Sequence, residues 1–360
     1  MKIPIAKPYI SKDEIQSVVD VLKSGKIAQG TVVAEFEEIF ADYTESGHAI
    51  ACVNGTAALH ASMIAAGVKP GDEVIVPSFS FISTATSVNM CGAKPVFADV
   101  NPTTFTIEPT HVEDLITEKT RAVVGVHLFG CPFESSPIHS LCKKNDIVMI
   151  EDAAQAVGSK EYHKMCGNIG DFATFSFYAT KNITCGEGGM ITTNDDDYAK
   201  LIRKIINHGQ SEKYKHDIIG YNYRMTDILA TIALHQMNRI EDVVWKRNKI
   251  AGMYKTGIDD SHNFGFQENR ANCRSSYHQF AVVCQNRTER EKLMNHLDGC
   301  GVGTAIHYPT PIHAQPVYMD DAVCPVSENL SDCIMSIPIY PSLTKEEINY
   351  VIDSINGGFK

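Results

Sequence analysis

Ile147-Val-Met-Ile-Glu-Asp-Ala-Ala-Gln155 is an apolar run of strand length that ends in two carboxylates. Read as a buried strand, it delivers Asp152 to the carboxyl edge of a sheet, where open α/β sheets bind their ligands. Downstream, Asp171-Phe-Ala-Thr-Phe-Ser-Phe-Tyr-Ala-Thr-Lys-Asn182 repeats the device, with a strand over Phe172–Phe177 and Lys181 just beyond its end. Outward from this pair, β-rich runs at Ile50–Val53, Glu73–Val76, Pro95–Val100, Ala122–Leu128 and Met190–Thr193 alternate with helical patterns at 55–66, 81–91, 109–118 and 135–145. Such alternation implies right-handed βαβ crossovers and a mostly parallel mixed sheet covered by helices, an α/β fold. Ser11-Lys-Asp-Glu14 has the spacing of a capping box, and Pro109 suits a first helical turn.

After Thr193 the pattern changes. Residues 195–207 and about 225–255 read as helices, the second long enough to link two domains. A strand at Gln279–Cys284, helices at Thr288–Asp298 and Thr344–Ile355, and Pro-punctuated loops around 308–325 follow. The expected division is a large α/β domain over 1–240 and a smaller C-terminal α+β domain over 241–360.

Composition narrows the function. Of 360 residues, 44% are hydrophobic and 21% charged, as in ordinary globular chains and unlike disordered ones. Acidic residues outnumber basic ones 43 to 32, a net charge of −11 that argues against a nucleic acid as partner. No apolar stretch reaches the ~18 residues of a membrane span. The start, Met1-Lys-Ile-Pro-Ile5, lacks the layout of a signal peptide, and no Cys-x-x-Cys pair occurs among the eleven cysteines. A cytoplasmic protein with reduced thiols is expected. His127, Cys131 and His163 match no metal-ligand spacing, so no metal is expected.

An aspartate and a lysine at neighbouring strand ends suit pyridoxal 5'-phosphate (PLP). That cofactor needs a lysine for its Schiff base and a carboxylate to keep its ring nitrogen protonated. Taken singly, Asp152 reads more readily as a helix cap and Lys181 as a solvated loop charge; their shared setting at strand ends favours the site. Ala51-Cys-Val-Asn-Gly-Thr-Ala-Ala-Leu59 turns from strand to helix at Asn54-Gly55, so the helix's free N–H groups and the Thr56 hydroxyl make an anion site. Val76-Pro-Ser-Phe-Ser-Phe-Ile82 offers Phe79 or Phe81 to a flat ring, although core packing is the commoner use of such residues.

The ordered series Ser24-Gly-Lys-Ile-Ala-Gln-Gly30, Asn54-Gly-Thr-Ala-Ala-Leu59, Gly71-Asp-Glu-Val-Ile-Val-Pro77, Glu151-Asp-Ala-Ala-Gln-Ala156, Phe175-Ser-Phe-Tyr-Ala-Thr-Lys-Asn182, Gly186-Glu-Gly-Gly189 and Gly220-Tyr-Asn-Tyr-Arg-Met225 resembles the DegT/DnrJ/EryC1/StrS family of PLP-dependent nucleotide-sugar aminotransferases. The resemblance spans almost the whole chain and implies the fold-type I, aspartate-aminotransferase-like architecture. It implies Lys181 as Schiff-base lysine, Asp152 as partner of the pyridine nitrogen, Gln155 beside the ring oxygen and Phe81 on the ring face. Gly55, Thr56, Ala57 and Ser176 would hold the phosphate, joined by Asn222 from the partner subunit of a homodimer. His307, Tyr308 and His313 of the His-Tyr-Pro…His segment are substrate candidates, with a structural loop the competing reading. The implied reaction moves an amino group from glutamate to the C3 or C4 keto group of a nucleotide-linked hexose. It would serve polysaccharide, glycan or deoxyaminosugar synthesis. Alternatives are a sugar dehydratase, disfavoured because Lys181 is intact, and a non-catalytic regulator that kept the fold.

Overall fold

The computed structural model describes residues 1–259 and 263–358. Its main sheet contains β1 (His48–Cys52), β2 (Glu73–Pro77), β3 (Lys94–Ala98), β4 (Thr120–Val126) and β5 (Val148–Asp152). After the two-residue strands β6 (Lys160–Glu161) and β7 (Lys164–Met165), it is completed by β8 (Phe172–Ser176) and β9 (Gly189–Thr193). The order is β1-β9-β8-β5-β4-β2-β3. From β8 through β3 all pairings are parallel, while β9 runs antiparallel to both neighbours. Every strand of the sheet falls within two residues, at either end, of a run marked by its sequence.

Alternation along each strand feeds two cores, one on each face. Val74 and Val76 face one core while Ile75, between them, faces the other. Helices α1 (Lys12–Ser24), α2 (Thr31–Thr44), α3 (Gly55–Ala65), α4 (Ser83–Met90), α5 (Pro109–Leu115), α6 (Ser135–Asn145), α7 (Asp196–Ile205) and α8 (Asp227–Met237) surround the sheet. Phe36 and Phe40 of α2 meet Phe175 and Phe177 edge-on, with ring centroids 4.9–5.6 Å apart. Each such ring, fully buried, contributes about 1.5–3 kcal/mol. The cluster fixes β8 and the loop leaving it.

Beyond the exposed hairpin of β10 (Gln210–Glu212) and β11 (Lys215–His216), the chain builds a second core. Here α9 (Ile240–Gly257), α10 (Arg287–Gly299), α11 (Pro325–Cys333) and α12 (Lys345–Gly357) accompany a three-stranded antiparallel sheet of β12 (Gly265–Phe266), β14 (Phe280–Val283) and β15 (Ile334–Ile337). The short β13 (Cys273–Arg274) instead pairs with β6. Tyr254, Phe280, Leu297 and Val351 are fully or almost fully buried in this core, and so is Ile3 at the chain's start, which bridges to Val302.

The long helix expected over 225–255 is two helices. Arg239 leaves helical geometry at φ −121°, ψ 5°. Its guanidinium donates to the Tyr9 carbonyl and to Glu14 and lies over the Tyr9 ring. These tertiary contacts outweigh the local preference for continuing the helix. The capping box at Ser11 and Glu14 is present as expected. Helix α2, helix α11 and strand β15 were not marked by the sequence pattern; α11 begins in the Pro-punctuated stretch and carries its Pro at the first turn.

Candidate active site

Asp152 ends β5 and is 5% exposed. Thr84 Oγ1 donates to its Oδ2 at 2.9 Å and the Ala154 N–H to its Oδ1 at 3.2 Å. Burial pushes its carboxyl up, opposed by those two bonds and by the positive charge of Lys181. Behind it lies a satisfied network. His127 donates from Nε2 to Glu151 at 2.9 Å and accepts at Nδ1 from the Phe133 N–H at 3.2 Å. The Glu151 carboxylate also accepts from the amides of Gly167, Ile169 and Gly170. His127, Glu151 and Cys166 bring ligand atoms within 4.8 Å of one another. Both imidazole nitrogens and the carboxylate are already engaged, so the cluster is a bracket behind Asp152 rather than a vacant ligand set. Cys131 and His163 are not part of it.

Lys181 sits in the loop between β8 and β9, its N–H bonded to the Tyr178 carbonyl at 2.9 Å. Burial lowers its ammonium from the ordinary 10.5 to about 8, against the opposing pull of Asp152. A lysine so shifted spends an appreciable part of its time as a neutral nucleophile.

Asn54 caps α3, its side chain accepting from the Ala57 N–H at 2.8 Å. That bond takes the Ala57 amide out of the set expected to meet a phosphate. Among the described residues, the Gly55 and Thr56 N–H groups have no acceptor, so they remain at the helix mouth. Ser176 lies opposite: a Cβ on Gly55 would stand 3.0 Å from the Ser176 Cβ. Gly189 packs behind the turn, where a Cβ would come within 2.4 Å of the Asn54 carbonyl oxygen. Glycine is required at 189 for lack of room, and at 55 any side chain would be tightly crowded.

Gln155 and Tyr308 meet across the fold, Gln155 Nε2 donating to the Tyr308 hydroxyl at 3.0 Å, while Gln155 Oε1 accepts from the Phe129 N–H. The Tyr308 ring lies 6.1 Å from the half-exposed Phe81 and 6.2 Å from the buried Phe79. His307 bonds Ser336 Oγ at 2.9 Å, and burial together with Lys181 lowers it to about 4, so it is neutral at pH 7. His313 departs from the expectation of a substrate contact. It is 4% exposed and held between Ser78 Oγ at 2.5 Å and Glu328 at 3.4 Å, in the position of a packing residue. Asn222 is exposed, on a segment tied to β1 by the Val53–Tyr223 hydrogen bond and the Cys52–Arg224 bridge.

Sequence reading missed Thr84, whose only signal was a hydroxyl shortly after a strand-end loop. It also missed a cavity of about 470 Å³ on one side of Lys181, between the chain's first residues, α9 and the β15 segment.

The residues fit pyridoxal phosphate: a buried carboxylate with no ion-pair partner among the described residues, a lysine with a depressed ammonium, and unfilled amides at a helix mouth. Residues 8–356 match the sequence profile of the DegT/DnrJ/EryC1/StrS aminotransferase family. A protein of Geobacillus stearothermophilus named pleiotropic regulatory protein is 37% identical over 350 residues, 96% of this chain and 94% of its own length. GDP-perosamine synthase of Caulobacter vibrioides is 37% identical over 363 residues, 99% and 98%. Spr1654 of Streptococcus pneumoniae, solved in a PLP form, superposes with a TM-score of 0.93 at 28% identity, covering 99% of this chain and 98% of that one. The chain belongs to the DegT/DnrJ/EryC1/StrS aminotransferase family and uses pyridoxal phosphate.

Proposed function

We propose that this enzyme moves an amino group from glutamate to the keto group, at C3 or C4, of a nucleotide-linked hexose, for a polysaccharide, glycan or deoxyaminosugar. The observation that carries the reading is the placement of Asp152 and Lys181 at the ends of neighbouring strands, one a buried acceptor and the other a lysine lowered to about 8. The kinship with a GDP-perosamine synthase supports a sugar nucleotide as acceptor.

Bound pyridoxal phosphate supplies the electron sink that makes a proton on the donor's α-carbon removable. Asp152 would hold the ring-nitrogen proton, with Thr84 fixing the carboxylate's rotation. The Gly55 and Thr56 amides, the Thr56 hydroxyl and Ser176 would hold the phosphate, and Phe81 would cover the ring. Lys181 would be the residue that holds the cofactor covalently and, when its amine is free, the base that carries the donor's α-proton off and back. The low proton affinity of Lys181 suits both tasks near pH 7. Gln155 and Tyr308 would sit at the ring's edge, with His307 near the substrate opening.

We further propose a cytoplasmic homodimer in which Asn222 completes the partner's phosphate site, and a division near residue 240 into a cofactor domain and a smaller one. Among the described residues no cysteine is disulfide-bonded, in keeping with a reducing compartment. Also among them, no helix is long and apolar enough to cross a membrane. The regulatory name of the Geobacillus relative favours a second reading, a regulator that kept the fold, but the intact lysine–aspartate pair argues for catalysis.

The test loads the protein with cofactor and glutamate, then offers nucleotide-linked 3-keto and 4-keto hexoses. One of them is expected to restore the pyridoxal absorbance, and Lys181→Ala to abolish turnover. Full turnover by Lys181→Ala refutes the assignment.

A further inference from the structure

The wall of the cavity beside Lys181 contains a buried cation that no carboxylate neutralises among the described residues. Arg247, on α9, is 5% exposed and lines the cavity. Its Nη1 donates to the carbonyls of Tyr277, His278 and Ile339, at 2.9–3.0 Å. No carboxylate pairs with it among the described residues, and its Nε is buried without an acceptor. Two more residues of the lining carry unfilled buried polar atoms, Nδ1 of His278 and Oε1 of Gln279. Buried charges are normally paired and buried polar atoms bonded, so three exceptions on one cavity wall mark a missing ligand. Burial lowers Arg247 only to about 10, which leaves it charged, whereas His278 is driven well below its ordinary value by burial and by Lys181, Arg247 and His307. The wall therefore presents one fixed positive charge, flanked by neutral hydrogen-bonding groups, in a chamber that opens on Lys181.

We propose that this chamber receives the amino donor, with a carboxylate of a small dicarboxylic amino acid set against the Arg247 guanidinium and accepting from His278. This rests on the aminotransferase reading above and adds the site and its selecting residue. A single monovalent counter-charge suits a carboxylate better than a diphosphate, which needs several cations or a helix mouth. The chamber's size falls within the range of small-molecule sites. The other ionised groups of its lining are engaged elsewhere or lie at its mouth: Arg239 with Glu14, Lys246 with Asp242, and the exposed Lys7.

The test titrates glutarate, a dicarboxylate with no amino group, into cofactor-loaded protein by calorimetry, and follows the glutamate half-reaction and the aminosugar half-reaction separately. Glutarate is expected to bind and to compete with glutamate. Arg247→Lys is expected to weaken glutarate and raise the KM for glutamate by about tenfold or more, as loss of charge-assisted hydrogen bonds does. The aminosugar KM should stay within about twofold on the same grounds. Because Arg247 also binds three carbonyls, His278→Phe serves as a second variant; its Nδ1 bonds nothing, so the fold should survive, and glutarate affinity should fall. Unchanged glutarate binding in both variants, or equal losses in both half-reactions, overturns the proposal. Glutarate binding that depends on Arg247, in a protein that aminates no sugar, would uphold the chamber and sink the sugar-acceptor reading instead.

Discussion

The proton affinity of Lys181 decides how fast cofactor-free protein captures its cofactor, because only the neutral amine attacks an aldehyde. The fall from 10.5 to about 8 corresponds to about 3 kcal/mol of preference for the neutral form. At pH 7 the neutral fraction becomes roughly 9% instead of roughly 0.03%, a gain of about 300-fold. The rate of covalent capture should rise with pH through a midpoint near 8 and then level off. Replacing Asp152 with Asn removes the anion that favours the ammonium, so the midpoint should move lower, by roughly 1 pH unit. The assay mixes cofactor-free protein with pyridoxal phosphate over pH 6–10, traps the product with borohydride and counts it by mass. Pyridoxal, lacking the phosphate, separates the lysine's titration from phosphate binding. A midpoint at 10 or above, or one that rises in Asp152→Asn, would refute the claim that burial governs this lysine.

Three further outcomes follow from contacts already described. Thr84→Val removes the O–H that orients Asp152, so cofactor affinity should fall by an amount equivalent to about 1–3 kcal/mol, read by fluorescence titration. Gly209→Ala puts a Cβ 1.8 Å from the Ile218 carbonyl oxygen at a φ of +68°, and should lower stability by at least about 1–3 kcal/mol in urea unfolding. Phe133→Ala empties the ring stacked 4.6 Å from His127 and should cost about 3–5 kcal/mol in the same measurement.

The strands and their edges were legible because each is a short apolar run closed by a polar residue, as Ile150-Glu151-Asp152 shows. The placement of Lys181 and of the Asn54-Gly55 turn was legible for the same reason: each lies just past a strand end. Thr84 and Arg247 were not. One acts on a carboxylate 68 residues away and the other through carbonyls 30 to 92 residues away, distances that no local period encodes. His313 misled because a histidine among prolines reads as an exposed loop, whereas tertiary packing seats it against Ser78. The break at Arg239 was invisible because its cause, Tyr9 and Glu14, lies at the other end of the chain.

The pairing of Ile3 with Val302 has a consequence for synthesis of the protein. It closes a loop of about 300 residues, at an entropic cost on the order of 5 kcal/mol beyond a constant. The stretch that follows, Ile5 to Tyr9, also forms a wall of the cavity beside Lys181. During synthesis residues 5–9 must therefore wait until the chain beyond residue 302 has been made before that wall is in place. The sheet bearing Asp152 can mature before then, whereas this cavity closes only once Val302 is available to hold the segment that walls it.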